Sequence, residues 1–227
     1  MKYAITFLMC AGTCAFYAVT QHGWMWLLLW PALALSLVAI AYLFNKPALF
    51  GKRDDGTMHP ALLLALLPYL IFAWLIWHLV RKLTKEPATN EVTPTLIVGR
   101  RLLPGELPAN VTHMIDLTAE FAEPAGVRGA TTYRALPMLD GMAVSVHRLN
   151  EIASAIAAIE GVVYIHCAQG HGRTGLVAAA VLLVSGEAAS DEQAIQRLKL
   201  VRPGIELKAS QRRALAQFEA ARSATRA

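Results

Sequence analysis

The pattern of apolar and polar positions divides this chain in two. Residues 3–20, 23–44 and 61–80 carry no charge. A helix needs about 20 apolar residues to cross a bilayer, so each stretch is long enough or nearly so. Beyond residue 80 the apolar runs shorten. LIVGR at 96–100 reads as a strand, and 102–110, with two prolines and a glycine, as a loop or short helix. THMIDLTAEF at 112–121 reads as a strand ending near Asp116. TTYRALPMLD at 131–140 reads as a strand around Tyr133 that runs into a loop. Val146, Leu149, Ile152, Ile156 and Ile159 have helical spacing within 142–160. A β-branched strand at 162–166 leads through a glycine-rich loop into an apolar helix over 174–184. Ser190 and Gln193 resemble a capping box opening a helix to about Leu200, and Pro203 and Gly204 end it. A last helix is expected over 208–221. Strands alternating with helices predict an α/β fold with a mainly parallel sheet flanked by helices. A transmembrane helical region precedes it. The boundary falls in the charged, proline-bearing residues 81–94, which read as a linker, so the expected domains are 1–84 and 85–227.

All five tryptophans (Trp24, Trp26, Trp30, Trp74, Trp77) lie in the apolar stretches, most of them near an end. That matches an interfacial aromatic belt. Pro31 and Pro68 would kink soluble helices but are tolerated in membrane ones. The first stretch resembles a signal peptide in having Lys2 at its start and small residues between Ala11 and Ala18. A retained span is preferred, because only Gln21, His22 and Gly23 separate it from the second stretch, a spacing that suits a tight hairpin. Three spans put Lys2, Lys46, Lys52 and Arg53 on one side, offset by Asp54 and Asp55. Arg81, Lys82, Lys85, Arg100 and Arg101 fall on the other. This nearly balances the positive-inside rule.

Composition adds less. The 227 residues are 56 % hydrophobic with a formal net charge of +5, of which +2 precedes residue 81. The remainder is mildly basic, and no aromatic-interleaved basic stripe points to nucleic acid. Arg212, Arg213, Arg222 and Arg226 read as a solvated helix face rather than a lipid contact. Three cysteines give no disulfide framework. Cys10 and Cys14, spaced i,i+4 on the first span, are expected to pack against a neighbouring helix.

The third cysteine carries the chemistry. Cys167 ends the 162–166 strand, five residues separate it from Arg173, and Thr174 follows. A tight loop leading into a helix turns successive N–H groups inward as an anion nest, and the helix N-terminus adds partial positive charge. A thiol at the base of such a nest is expected to ionise readily. Arg173 offers a planar fork for two phosphate oxygens. Gly170, Gly172 and Gly175 also spell the dinucleotide fingerprint G-x-G-x-x-G. That motif needs an acidic residue closing a second strand about 20 residues on. Here Glu187 and Asp191 lie in a helix start, and Cys167 and Arg173 would have no role. A structural glycine-rich turn around a buried cysteine is the plainer alternative.

The segment resembles the signature H-C-x5-R-[ST]-G of cysteine-based phosphatases, and most closely the dual-specificity branch of the protein tyrosine phosphatase superfamily. The resemblance covers roughly residues 90–220. VTPTLIVGRRL is similar to the opening strand of those domains, and IDLT to the strand before the substrate-side loop. VRPGIELKASQRRAL is similar to the closing arginine–proline turn and last helix, with Gln211 in a helical position the family favours. The resemblance implies the cysteine phosphatase fold, with Cys167 as nucleophile and Arg173 with the amides of Ala168, Gln169, Gly170, His171 and Gly172 as phosphate ligands. His166 tunes the thiolate, and Thr174 hydrogen-bonds the sulfur. The family's acid is an aspartate on an upstream loop. Asp140, in LPMLDGMAV, fits that role better than Asp116, although its separation of 27 residues from Cys167 is short for the family. No metal or cofactor is implied. His171 has two open readings, facing substrate or facing solvent.

The expected activity is hydrolysis of phosphomonoesters through a phosphocysteine intermediate, on phosphotyrosine, phosphoserine or phosphothreonine proteins. A phospholipid or phosphoinositide substrate is the even alternative: the loop lacks the lysines common in lipid-directed relatives, yet a membrane anchor concentrates lipid head groups. A silent phosphate-binding scaffold and a rhodanese-type sulfurtransferase are the remaining readings. A reactive thiolate favours the cytoplasmic side for the catalytic domain of a multi-pass membrane protein.

Overall fold

The computed structural model describes residues 2–21 and 23–226, so His22 of the expected hairpin lies outside the described residues. The chain forms two compact units, Met1–Leu83 with Ala119–Ala122, and Thr84–Thr118 with Glu123–Ala227.

In the first unit α1 spans Lys2–Gln21, α2 spans Leu29–Phe44 and α3 spans Pro60–Leu83. Ala4, Ala11 and Ala18, seven residues apart, form the buried face of α1. Small residues let helices approach closely where lipid supplies no hydrophobic drive. The Tyr3 and Tyr42 rings lie 5.4 Å apart, which makes α1 and α2 antiparallel. Most large apolar side chains here point outward, Trp24 at 85 % exposure being the extreme. The three helical segments are long and apolar enough to cross a membrane.

Two expectations change. The second apolar stretch is a 3-10 turn over Gly23–Leu28 followed by α2, not one α-helix. Pro31 sits in the first turn of α2 and has no N–H to give the carbonyl four residues back, so a continuous α ladder cannot pass it. Cys10 is exposed and Cys14 half-buried, because the alanines take the packed face.

In the second unit the strands are β1 (Thr89–Thr93), β2 (Leu96–Arg100), β3 (His113–Thr118), β4 (Thr132–Met138) and β5 (Val163–Cys167). Their order is β1-β2-β5-β3-β4, with only β1 antiparallel. The 81–94 segment is therefore not all linker. Thr89–Thr93 turns back through Pro94 and Thr95 and pairs with β2. The charged Glu91 is tolerated because β1 is an edge strand.

The helices are α4 (Ala125–Arg128), α5 (Val146–Ala157), α6 (Gly172–Ser185), α7 (Asp191–Val201) and α8 (Ala209–Arg226). The 12-residue α5 accounts for the short reach from Asp140 to Cys167. Ser145 caps α5 and Ser190 caps α7 through their hydroxyls. Every residue of α6 from Arg173 to Leu183 is buried, so this helix is the centre of the core. Strand alternation sorts the side chains. Val163, Ile165 and Cys167 join the larger core cluster, while Tyr164 joins the smaller one. No strand follows α6 among the described residues, so the dinucleotide reading has no structural support.

Candidate active site

The site lies at the C-terminal edge of the parallel strands, where open α/β sheets form their binding crevices. Cys167 is the last residue of β5 and is 2 % exposed. The chain then bends through residues 168–171 into α6. Gly170 has φ +74°, and a Cβ there would stand 2.2 Å from the Gly99 carbonyl oxygen, so only glycine fits. Its N–H donates to Cys167 Sγ at 3.3 Å. This is the inward-pointing amide that the loop pattern predicts.

Arg173 lies in the first turn of α6 and is 1 % exposed. Its Nη1 donates to the Met138 carbonyl at 3.0 Å and the Leu117 carbonyl at 3.4 Å. Those carbonyls belong to the C-terminal ends of β4 and β3, and β3 is the neighbour of β5. The guanidinium thus sits at the strand edge that Cys167 also occupies. Asp140, two residues beyond β4, places Oδ1 3.4 Å from Arg173 Nε. Its side chain is 66 % exposed, open to a proton donor or acceptor from solution.

The loop carrying Asp140 is pinned from α8. Ser210 Oγ donates to the Gly141 carbonyl at 2.8 Å, and Gln211 Nε2 donates to the Met142 carbonyl at 3.2 Å. Gln211 is fully buried, and its side chain also lies against Gly172. It therefore bridges the Asp140 loop and the Cys167–Arg173 loop.

Asp116 is buried inside β3. Its Oδ1 accepts from the Thr118 N–H and hydroxyl, both at 2.7 Å, and its Oδ2 accepts from the Tyr133 hydroxyl at 2.6 Å. Burial, then the Asp116 charge, push the Tyr133 phenol far above its ordinary pKa, which keeps it a donor. Asp116 is thus fully buried and engaged on both oxygens, whereas Asp140 is exposed.

His166 faces away from the sulfur. Neighbouring strand residues point to opposite faces, so its ring stacks on Tyr164, 5.4 Å between centroids, while Cys167 faces the larger core. His166 Nδ1 lies 3.4 Å from the Cys167 carbonyl, and Nε2 lies 3.9 Å from Asp116 Oδ1. Thr174 does not hydrogen-bond the sulfur: its hydroxyl is buried without a hydrogen-bond partner. His171 takes neither of its two readings. Its ring turns to Glu86, Nε2 to Oε2 being 2.6 Å.

Asp116, Glu123 and His166 bring potential metal-ligand atoms within 4.8 Å of one another, all buried. The Arg101 guanidinium already pairs with Glu123 at 3.0 Å and places a positive charge in this cluster. Sequence spacing gave no sign of the cluster, nor of Glu86 beside the phosphate loop. Glu86 lies 85 residues from His171, and nothing in KEPATN marks it.

Residues 103–224 match the family model described as Swiss Army Knife protein, DSP-PTPase phosphatase domain. No curated protein matches the sequence. Several solved structures share the fold. A mouse putative dual specificity phosphatase complexed with zinc tungstate is 20 % identical, with a TM-score of 0.55, over 63 % of this chain and 93 % of that one. PTPMT1 in complex with PI(5)P is 20 % identical, with a TM-score of 0.54, over 62 % and 99 %. Human DUSP28 is 22 % identical, with a TM-score of 0.52, over 60 % and 96 %.

Proposed function

The chain belongs to the Swiss Army Knife DSP-PTPase phosphatase domain family, and on that premise we propose that it is a membrane-anchored phosphatase acting on phosphorylated proteins. The reaction is phosphomonoester hydrolysis through a phosphocysteine. The supporting observation is the meeting of three groups at one strand edge. The Cys167 sulfur receives the Gly170 N–H at 3.3 Å at the end of β5, and Arg173 and Asp140 stand 3.4 Å apart at the same edge of the sheet.

In this reading the amides of residues 168–173 and the Arg173 guanidinium take the phosphoryl oxygens. The Cys167 thiolate forms an S–P bond as the P–O bond to the leaving group breaks, and Asp140 gives its proton to the departing oxygen. In the second step the Asp140 carboxylate takes a proton from water. The water oxygen bonds to phosphorus as the S–P bond breaks, releasing phosphate and restoring the thiolate. Fixed N–H dipoles and a buried guanidinium stabilise the charge that develops in both steps.

A second reading replaces the protein substrate with a phospholipid head group. It is favoured by the three apolar segments that precede the catalytic unit in the chain and by the shared fold of PTPMT1, solved with PI(5)P. The deciding experiment uses full-length Cys167→Ser protein in its own membrane. It should lose aryl phosphate turnover and retain bound substrate. Recovery of phosphoprotein supports the first reading, and recovery of phospholipid the second. Normal turnover by Cys167→Ser overturns both.

A further inference from the structure

Arg202 ends α7 and is buried, its side chain only 2 % exposed. It wraps the outside of the phosphate loop. Its Nη2 donates to the Gln169 carbonyl at 2.8 Å and its Nε donates to the Gly170 carbonyl at 3.0 Å. Its Nη1 reaches back to the Pro87 carbonyl at 2.8 Å and Asn90 Oδ1 at 2.7 Å. All peptide bonds of the described chain are trans. In a trans peptide the C=O and N–H point in opposite directions. Holding the Gln169 carbonyl outward therefore aims the Gly170 N–H inward, and that N–H is the one on the Cys167 sulfur. Holding the Gly170 carbonyl does the same for the His171 N–H. Arg202 thus sets the orientation of two amides of the anion nest.

Arg202 is itself held by Glu86. Glu86 Oε2 lies 2.9 Å from Arg202 Nη2 and 2.6 Å from His171 Nε2, and its Oε1 accepts from the Gly204 N–H at 3.0 Å. The fit is close: a Cβ on Gly204 would stand 2.4 Å from His171 Nε2. One carboxylate therefore ties together the cation behind the loop, a side chain of the loop, and the turn after α7. Burial pulls the Arg202 pKa down, and the Glu86 charge opposes this. A buried cation stripped of its partner is strongly unfavourable. Glu86 lies only three residues beyond the end of α3 and outside the family-matched segment 103–224.

We propose that Glu86, in the segment that follows the third apolar helix, is a positioning residue for the phosphate loop, acting through Arg202 and His171. The inference rests on the catalytic reading above, in which those loop amides bind the phosphoryl group. The segment joining the apolar helices to the catalytic unit is then part of the active-site frame and not a passive tether.

The test uses the full-length protein in detergent, in a Cys10→Ser, Cys14→Ser background, with p-nitrophenyl phosphate as substrate. Glu86→Ala should lower kcat/KM on the order of tenfold to a hundredfold, the scale of a misplaced catalytic frame. The rate of Cys167 alkylation by iodoacetamide at fixed pH should fall with it, a readout that a merely structural role would leave alone. Arg202→Lys should be similarly impaired, and the double variant little worse than either single one, because both changes remove the same restraint. Should Glu86→Ala not fold, Glu86→Gln keeps an acceptor for the Gly204 N–H and removes the charge, and it should show a smaller loss of the same kind. Wild-type kcat/KM and alkylation in a folded Glu86 variant, or effects additive with Arg202→Lys, would overturn the inference. Turnover that survives Cys167→Ser in the same assay overturns the catalytic reading instead.

Discussion

Arg173 Nε and Asp140 Oδ1 stand 3.4 Å apart, yet the arginine side chain is 1 % exposed and the aspartate 66 %. A buried cation thus faces a carboxylate that solvent can reach. On the proposed mechanism this is a division of labour: the guanidinium holds the phosphoryl oxygens and the aspartate transfers the proton.

Asp140→Asn should therefore lower kcat by about a hundredfold to ten-thousandfold on an alkyl phosphate, the usual worth of general acid–base catalysis. KM should change far less. The loss should shrink on an activated aryl phosphate, whose leaving oxygen needs no proton. Equal losses on both substrates would remove Asp140 from the acid role.

Arg173→Lys keeps the charge and loses the fork. Lysine cannot hold two phosphoryl oxygens in one plane, nor reproduce the paired contacts to Met138 and Leu117. Turnover should fall about a hundredfold or more, as when a single charge-stabilising donor is removed. Isothermal titration with tungstate should show weakened binding.

Gly170→Ala should damage stability and activity together. The new Cβ meets the Gly99 carbonyl oxygen at 2.2 Å, at a φ of +74° that alanine rarely adopts. Strain of this kind costs about 1–3 kcal/mol before the clash is counted. Thermal unfolding should drop by several degrees, since about 1 kcal/mol moves a domain of this size by roughly 2–4 °C. An unchanged melting point would mean that the loop relaxes away from Gly99.

The Glu86 contacts predict a pH-dependent stability. Burial alone would push its carboxyl up. The His171 hydrogen bond, the Gly204 N–H and the Arg202 charge together outweigh burial and hold it below the usual glutamate range. A folded pKa below the unfolded one contributes stability that is complete above the unfolded value, about 4.3, and is lost as pH falls through the folded one. The melting-point gap between wild type and Glu86→Gln should thus be open at pH 7 and should shrink progressively as pH falls below the unfolded glutamate value of about 4.3. A gap that widens on acidification contradicts this pairing.

Local pattern carried much of this protein. Three uncharged stretches announced three long apolar helical segments, because a bilayer-length run needs no distant partner to be recognised. The alternation after residue 95 announced a mainly parallel sheet with helices between its strands. The spacing from His166 to Thr174 announced a strand, a nest and a helix, since a glycine-rich turn between a β-branched run and an apolar helical run is recognisable within one local window.

Tertiary structure decided what depends on partners far along the chain. The full burial of Asp116 inside β3 and the exposure of Asp140 beyond β4 are set by how the strands pack. Edge pairing with Leu96–Arg100 turns Thr89–Thr93 from apparent linker into a strand. The direction of the His171 ring and the hold on Arg202 depend on Glu86, which is 85 residues from the loop it touches. Periodicity encodes which face a residue presents to its own element. Which charge meets that face is set by how the chain closes on itself, and no local window contains it.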